Sequence, residues 1–339
     1  MHAAVIRRYG APEVFEYKEW PEPQLEAGKC LVRVKAIGIN FADLLQRMGL
    51  YPGTPKPPFV PGFEVAGVVE RAAQNSGCKL GDRVVAMTRF NGYVELAACD
   101  AESVFPLPPR MTFEEAAAIP VNYLTAFHAM FEMGNLRGGD RILIHGAAGG
   151  VGVAAVQLAK ARKLEVFGTA GTKKQDFLRQ SGVDHPIDYT KENFVDVVRK
   201  AAPDGIEMVM DPIGGKSFAN SYKCLGPMGR LIVYGFSTAA NAAGKRSLLR
   251  GAMAMWQTPR FWPLDMMSKN IAVIGVHLGR LGQKQTVLRR EMTSLFELYT
   301  GGRIKPLVGK TFPLEQAAEA HRYIHNRSNI GKVVLTISG

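Results

Sequence analysis

A glycine-rich turn is the part of the sequence with the clearest chemistry. Residues 141–160 read RILIHGAAGGVGVAAVQLAK, a β-type run followed by small residues and a helix-forming run. Ala147, Gly149 and Gly152 stand at the small-residue positions of a G-x-G-x-x-G turn, which brings a helix N-terminus and its free N–H groups to a pyrophosphate. The pattern therefore predicts a dinucleotide site. Its predicted phosphate-binding residues are Gly149, Gly150, Val151 and Gly152.

The end of the next predicted strand indicates which nicotinamide cofactor this site would bind. A site for NAD places Asp or Glu about 20 residues after the turn, where the carboxylate binds the ribose hydroxyl. This chain instead reads GTAGTKK over residues 168–174. A 2′-phosphate would meet cations there, in a loop kept small by Gly171. The sequence therefore predicts NADPH, with Lys174 as the main phosphate partner. The alternative is that Lys173 and Lys174 only face solvent at a helix start.

No set of residues in the sequence has the spacing of a zinc site. The four cysteines form no Cys-x-x-Cys pair, and the seven histidines have no cysteine partners at ligand spacing. A catalytic zinc needs about three protein ligands. In PFVPGFEVAGVV, residues 58–69, Phe63 separates a turn glycine from Glu64 just before a predicted strand. We therefore predict no metal, apolar packing for Phe63 and a hydrogen-bonding role for Glu64.

The chain divides into two regions with different secondary-structure patterns, and both regions contribute to positioning these residues. Residues 1–120 contain short β-branched runs separated by turns, which predicts a small β-barrel. The segment TFEEAAAI, residues 112–119, has a threonine followed by a glutamate three residues later, which predicts a capped helix start. From residue 121, strand-like and helix-like runs alternate as far as IAVIGV, residues 271–276. This alternation predicts a doubly wound parallel sheet.

Composition and charge narrow the expected partners and location. The 339 residues are 47% hydrophobic and 21% charged, with a formal net charge of +12. The lysines and arginines are scattered, so we expect a solvated basic surface with a few phosphate contacts and no nucleic-acid partner. Charged residues precede any apolar run at the N-terminus, and the few cysteines suit reduced thiols. A cytoplasmic location is therefore expected.

Over nearly its whole length the sequence resembles the zinc-free quinone oxidoreductase branch of the medium-chain dehydrogenases/reductases. The shared stretches include VKAIGINFADLLQRMGLYP, PFVPGFEVAGVV, AAAIPVNYLTAFHAM, GAAGGVGVAAVQLAK, VDHPIDY and NIGKVVL. The stretch PRFWPLDMMSKNIAVIGVHLGRL is similar to the subgroup of the synaptic-vesicle amine transport protein. The resemblance implies α/β plus β: a co-chaperonin-like β-barrel catalytic domain (1–120, completed by 300–339) and a Rossmann nucleotide-binding domain (121–299).

The resemblance also implies which residues line a cleft between the two domains. Asn40 and Tyr51 would lie near the nicotinamide, and both are candidate catalytic residues. Asn40 would also contact the cofactor. The further cofactor contacts it implies are Asn122, Thr125, Gly171, Lys174, Tyr189, Tyr234, Gly235, Val276, Leu278 and Asn329. Zinc-dependent members have Cys at the position of Asn40 and His at that of Phe63, so this chain lacks both ligands.

Without a zinc Lewis acid, these residues favour an acceptor that is already electrophilic. A quinone or an enone needs orientation for hydride transfer, and Asn40 could bind the developing oxyanion. Tyr51 either relays a proton, as a tyrosine in a similar context does in enoyl-thioester reductases of the superfamily, or only packs a lid. We predict an NADPH-dependent reductase of quinones or other α,β-unsaturated carbonyl compounds. The alternative is an NADPH-binding, non-catalytic or weakly catalytic protein that acts at membranes or as a regulator.

The basic segment 241–270 is rich in Met and Trp and allows three interpretations. It could form a flap over the cleft with an adaptable apolar lining. It could instead contact a membrane surface or a second subunit. The resemblance implies a homodimer formed through strand 271–276. We favour a flap combined with a dimer contact over the membrane contact.

Overall fold

Two β-sheets of different construction organise the protein, for which a computed structural model describes residues 1–239, 253, 255–282 and 284–337. One sheet is mostly antiparallel and the other is entirely parallel. A separate antiparallel ribbon is formed by β1 (His2–Ile6) and β2 (Phe15–Glu19). The predicted combination of a β-barrel domain with a doubly wound α/β domain is confirmed.

The mostly antiparallel sheet contains strands from both ends of the chain. Its strands are β3 (Lys29–Ile39), β4 (Glu64–Ala72), β5 (Arg83–Met87), β6 (Leu96–Asp100), β7 (Val104–Pro106), β14 (Val308–Pro313) and β15 (Lys332–Thr336). They are ordered β14-β15-β3-β4-β5-β7, and β6 also pairs with β3. In the antiparallel pairing of β15 with β3, Val333 lies opposite Ile39. The last strand therefore extends a sheet that the first third of the chain begins.

The parallel sheet has the strand order of a dinucleotide-binding fold. Its strands are β8 (Arg141–Ile144), β9 (Glu165–Ala170), β10 (His185–Asp188), β11 (Ile206–Asp211), β12 (Leu225–Val233) and β13 (Ala272–Gly275). The order β10-β9-β8-β11-β12-β13 corresponds to 3-2-1-4-5-6. Its helices are α4 (Gly150–Ala161), α5 (Gln175–Gln180), α6 (Phe194–Ala201), α7 (Lys216–Lys223) and α8 (Pro263–Lys269). The order reverses at β8, the strand that leads into the glycine turn.

The remaining described helices either lie between strands of the barrel sheet or connect that sheet to the parallel sheet. They are α1 (Phe41–Met48), α2 (Phe113–Ala116), α3 (Pro120–Phe127), α9 (Gln285–Thr300) and α10 (Ala317–His325). The predicted helix start at Thr112 is confirmed, because its hydroxyl accepts from Glu115 N and the Glu115 carboxylate accepts from Thr112 N, both at 3.1 Å. A π-helical turn, His128–Met133, continues α3.

One apolar cluster runs through both sheets and the helix between them. It includes Ala36 and Val85 of the barrel, Leu124 of α3 and Ile144 of the parallel sheet, all essentially inaccessible to solvent. Because these residues pack as one core, the cleft walls on either side of α3 are held together by shared packing. The division of the chain at residues 120/121 and 299/300 remains our proposal.

Within the segment 241–270, residues 241–252 and 254 lie outside the described residues. Its described part exposes large apolar side chains, those of Met253, Met255, Trp256, Trp262, Leu264 and Met267. It leads into β13, which pairs with β12 at one end of the parallel sheet. Among the described residues, no helix is both long enough and apolar enough to span a bilayer.

Candidate active site

The predicted phosphate turn joins β8 to α4 and is sterically restricted to small residues. A Cβ added at Gly152 would lie 2.2 Å from the carbonyl oxygen of Gly146. A Cβ at Gly150 would lie 2.4 Å from Asn122 Nδ2, so α4 begins directly against α3. Because α4 starts at a glycine, no side chain of its own N-cap covers its first N–H groups. This arrangement fits a pyrophosphate.

The segment before β15 lies across this turn. Gly149 and Gly331 form a parallel β-bridge, and Gly331 N donates to Ala148 O at 2.9 Å. Asn329 Nδ2 donates to Gly331 O at 3.1 Å, which puts Asn329 beside the turn. Residues from the barrel sheet and the parallel sheet therefore face the same phosphate-binding position.

Two cations and a tyrosine meet at the end of β9, where the sequence predicted the 2′-phosphate. Lys174 Nζ donates to Asn329 O at 2.5 Å, and Arg327 Nη1 lies 3.5 Å from the hydroxyl of Tyr189. A Cβ at Gly171 would lie 3.7 Å from the same hydroxyl. Burial lowers the pKa of Lys174, and the charge of Arg327 lowers it further. The sequence analysis missed Arg327; its position two residues before Asn329 was the available clue.

A buried polar network surrounds Asn40, one of the two residues that stand, by the resemblance, in place of zinc ligands. Lys332 Nζ donates to Asn40 Oδ1 at 2.6 Å and to Glu64 Oε1 at 2.5 Å. Asn40 Nδ2 donates to Glu64 Oε1 at 2.7 Å. Lys332 and Glu64 are 2% and 0% exposed, so their charges compensate each other away from water. A Cβ at Gly38 would lie 2.5 Å from Glu64 Oε1, so the network also requires glycine there.

Glu64 connects this network to the helix that carries two predicted cofactor contacts. Its second oxygen, Oε2, accepts from Val121 N at 2.8 Å, in the first turn of α3. Ile119 precedes this helix and has no polar side chain to cap it, so a carboxylate from β4 takes that role. Asn122 and Thr125 of α3 are both nearly buried and face the junction between the sheets. The predicted hydrogen-bonding role of Glu64 is therefore observed.

Asp43 is a second buried carboxyl beside the network. Its Oδ2 accepts from Asn40 N at 2.7 Å, which caps α1. Burial raises the pKa of Asp43 to about 8, although its hydrogen bond with Asn40 N lowers it in part. The Asp43 carboxyl is therefore mostly protonated at neutral pH.

These residues do not fit a catalytic zinc ion. Asn40 and Glu64 already bind the ammonium of Lys332, which is itself a cation. Phe63 is apolar, and its ring packs edge-on against that of Tyr51, with centroids 5.1 Å apart. Across the described residues, no group of three or more His, Cys, Asp or Glu could hold a metal.

Tyr51 contacts His277, which is not one of the predicted catalytic or cofactor-binding residues. Its hydroxyl lies 3.4 Å from Nε2 of His277, and the ring centroids are 5.7 Å apart. Tyr51 follows α1 in the barrel, whereas His277 follows β13 in the parallel sheet. The pair therefore crosses the cleft. Burial raises the pKa of Tyr51, and the Asp43 carboxyl adds to this effect.

The other predicted cofactor contacts lie at the carboxyl ends of β12 and β13. Val276 N donates to Val233 O at 2.9 Å, which continues the pairing of these strands. Tyr234 and Leu278 pack on the same apolar cluster as Val151 of the glycine turn. A Cβ at Gly235 would lie 2.9 Å from Pro212 O, so glycine lets the chain pass close to β11. This edge is where ligands bind in doubly wound sheets.

A buried Ser–His–Asp set near the turn has a structural arrangement. His145 Nε2 lies 3.0 Å from Ser221 Oγ, and Ser221 Oγ donates to Asp211 Oδ2 at 2.7 Å. In a hydrolytic triad the carboxylate would orient the imidazole instead. All three residues are nearly inaccessible to solvent, and burial lowers the pKa of His145. We therefore interpret the set as a polar connection between strands and α7.

Comparison with known proteins identifies the family. Residues 26–122 match the alcohol dehydrogenase GroES-like domain, and residues 181–335 match the zinc-binding dehydrogenase family. The synaptic vesicle membrane protein VAT-1 homolog of Rattus norvegicus is 42% identical, with 99% of this chain and 84% of that protein covered. The chain belongs to the medium-chain dehydrogenase/reductase family. Within it, the quinone oxidoreductase of Rattus norvegicus is 31% identical, with 99% of this chain and 98% of that protein covered.

Solved structures of medium-chain dehydrogenases/reductases share the fold. The human VAT-1 homolog-like protein has a TM-score of 0.86 at 33% identity, covering 100% of this chain and 98% of that one. Escherichia coli quinone oxidoreductase complexed with NADPH has a TM-score of 0.86 at 28% identity, with 99% and 100% covered. The CurK enoyl reductase has a TM-score of 0.85 at 26% identity, with 99% of each chain covered. The resemblance drawn from the sequence is thus confirmed.

Proposed function

We propose that this protein is an NADPH-dependent, metal-independent reductase that transfers hydride to α,β-unsaturated carbonyl compounds or quinones. One observation supports it above all: Asn40, which by the resemblance stands where zinc-dependent members have Cys, is hydrogen-bonded to the buried Glu64–Lys332 pair. A site without a Lewis acid suits acceptors that are already polarised. The NADPH-bound quinone oxidoreductase and the enoyl reductase among its relatives are consistent with this chemistry.

NADPH, when bound, would supply the hydride, and this chain has groups for each of its parts. The glycine turn and α4 suit the pyrophosphate. Lys174, Arg327 and Tyr189 suit the 2′-phosphate, since cations and a hydroxyl converge there. The predicted contacts for the ribose and nicotinamide are Asn40, Asn122, Thr125, Tyr234, Gly235, Val276 and Leu278.

On the substrate side, Asn40 and Tyr51 are the proposed catalytic residues. One N–H of the Asn40 amide is held by Glu64, whereas the other has only a 3.4 Å contact with Gly38 O. That distance is at the limit of a hydrogen bond, so this N–H is the one left to donate to a substrate oxygen. The ammonium of Lys332 on Oδ1 polarises the same amide and strengthens it as a donor.

Turnover assays test the proposal directly. NADPH oxidation would be followed at steady state with a panel of small quinones and a panel of enones, and with NADH as the comparison cofactor. We expect turnover with NADPH on at least one panel. Tight NADPH binding without turnover on either panel would contradict the proposed activity.

A non-catalytic role at membranes is the second candidate, and one observation favours it. Six large apolar side chains between Met253 and Met267 are exposed beside basic residues. Co-sedimentation with liposomes of acidic lipid at low salt would test this role, and the absence of binding would end it. A homodimer through strand 271–276 and a cytoplasmic location remain proposals, the first testable by analytical ultracentrifugation.

A further inference from the structure

We infer that Tyr51 and His277 form a proton relay across the cleft, in which His277 returns a proton to Tyr51 after Tyr51 has protonated the substrate. This inference rests on the proposed function and adds a residue to it. Tyr51 would be the catalytic residue, and His277 would act through it.

The geometry of the pair is that of a hydrogen-bonded donor and acceptor in an open site. The hydroxyl-to-Nε2 distance of 3.4 Å is long, as catalytic hydrogen bonds often are before a substrate binds. Gly279 leaves the necessary room, because a Cβ there would lie 3.2 Å from the Tyr51 hydroxyl and 3.0 Å from His277 Cε1. Thr54 Oγ1 donates to Tyr51 O at 2.6 Å and fixes the backbone of the tyrosine.

A relay from solvent requires the outer residue of the pair to be more exposed to water than the inner one. Tyr51 is partly buried against Phe63, whereas His277 is exposed to solvent. A proton can therefore pass from water to the imidazole and then inward to the phenol. Burial raises the pKa of Tyr51; among its neighbours the titratable Asp43 raises it further, whereas Arg89 and Arg280 lower it.

The proton balance of enone reduction gives the relay its task. Once the β-carbon has accepted hydride, the substrate is an enolate. The O–H bond of Tyr51 breaks, and its proton forms a C–H bond at the α-carbon. The resulting phenolate takes a proton from the imidazolium of His277, and the imidazole regains one from water. Each turnover thus consumes one hydride and one solvent proton, and the protein is unchanged.

This task distinguishes between the two proposed substrate classes. A quinol anion is an oxygen base, which water protonates without assistance. Protonation of an enolate at carbon is slower, so a placed donor accelerates it. The relay therefore favours α,β-unsaturated carbonyl compounds over quinones.

The test compares the wild-type protein with His277→Gln on an enone and on a quinone. Glutamine keeps a hydrogen-bonding side chain but cannot transfer a proton. We expect kcat on the enone to fall about tenfold or more at about pH 6, with little change in KM, and kcat on the quinone to change less than twofold. The deficit should shrink as pH rises, because only a protonated imidazole can pass a proton to Tyr51. Added imidazole should restore His277→Ala.

Two further variants make the result decisive. Tyr51→Phe should lose stereospecific deuteration of the α-carbon in D₂O, while NADPH binding reports that it is folded. Tyr9→Phe, which removes a hydroxyl bonded to Pro55 O in the adjacent loop, should behave as wild type. If wild type reduces enones and His277→Gln matches it from pH 6 to pH 9, the relay is overturned. If wild type reduces no acceptor, the proposed function fails, and the relay fails with it.

Discussion

At the scale of single residues, the site is built from side chains that are far apart in the sequence. Lys332 lies near the end of the chain but neutralises Glu64 near its beginning. Arg327 comes equally late and joins Tyr189 and Lys174 at the proposed 2′-phosphate site. One cation neutralises a buried carboxylate and the other lies at the proposed phosphate site. Single substitutions should therefore affect stability and cofactor binding separately.

Discrimination between NADPH and NADH should depend on Lys174 and Arg327. We expect Lys174→Ala and Arg327→Ala each to raise the KM for NADPH about 10- to 100-fold, since a hydrogen bond to a charged group contributes about 1.5–3 kcal/mol. The KM for NADH should change little. Steady-state kinetics with both cofactors measures this, and Lys173→Ala is the matched control because Lys173 is its exposed neighbour. Equal effects on the two cofactors would refute the assignment.

At the scale of secondary structure elements, the central feature is a carboxylate that stabilises three of them at once. Glu64 in β4 accepts from the N-terminus of α3, from Asn40 at the start of α1 and from Lys332 in β15. One buried side chain thus both neutralises the charge of Lys332 and caps the N-terminus of α3. Its removal should affect stability and cofactor affinity together.

Glu64→Ala should lower the free energy of unfolding by about 3–5 kcal/mol, because it leaves the ammonium of Lys332 buried and unpaired. Urea denaturation measures the change. Glu26→Ala is the control, since it breaks a partly exposed pair with Lys29 at 2.7 Å that should contribute less than about 1 kcal/mol. A loss of less than 1 kcal/mol in Glu64→Ala would show that the network tolerates an unpaired Lys332.

Asp43 should make stability depend on pH in a direction opposite to that of most carboxylates. Its pKa is about 8 in the folded protein, whereas an unfolded aspartate ionises near pH 4. Between these values the folded state binds one more proton, so this group contributes stability that decreases as pH rises. Asp43→Asn keeps the capping oxygen but does not titrate. Denaturation at pH 5, 7 and 9 should therefore show a smaller decline in the variant, and parallel curves would contradict the shift.

Local sequence patterns predicted the secondary structure elements well, because such elements are determined largely by residues close together in the sequence. The glycine turn and the run EVAGVVERA, which became β4, depend on neighbouring residues only. The contacts of Arg327, His277 and Lys332 could not be predicted from local patterns, because their partners lie between 138 and 268 residues away in the sequence. Only the pairing of β15 with β3 and the placement of β13 at the sheet edge bring them together.

At the scale of the whole molecule, the proposed NADPH site belongs to neither sheet alone. The parallel sheet supplies the glycine turn and Lys174, and the barrel sheet supplies the segment from Arg327 to Gly331. A ligand that contacts both should strengthen their association as well as fill a pocket.

NADPH should therefore stabilise the entire protein against heat. At a free concentration of about 100 times Kd, binding adds about 2.7 kcal/mol to the free energy of unfolding. Differential scanning calorimetry should show one transition that moves to higher temperature, with a smaller shift for NADH at the same concentration. Two transitions, of which only one responds to NADPH, would show that the sheets unfold separately and that the site does not couple them.

The pairing of β15 with β3 also sets an order of events during synthesis on the ribosome. The six described strands of the parallel sheet have all been made by residue 275, before β14 and β15 of the barrel sheet. The edge of β3 at residues 36–39 has to wait for Val333 to Thr336, nearly 300 residues later. Until then Glu64 has no counter-ion and the glycine turn has no cover. A nascent chain can thus complete its parallel sheet before its barrel sheet, and the cofactor site forms only once residues 327–336 have been made.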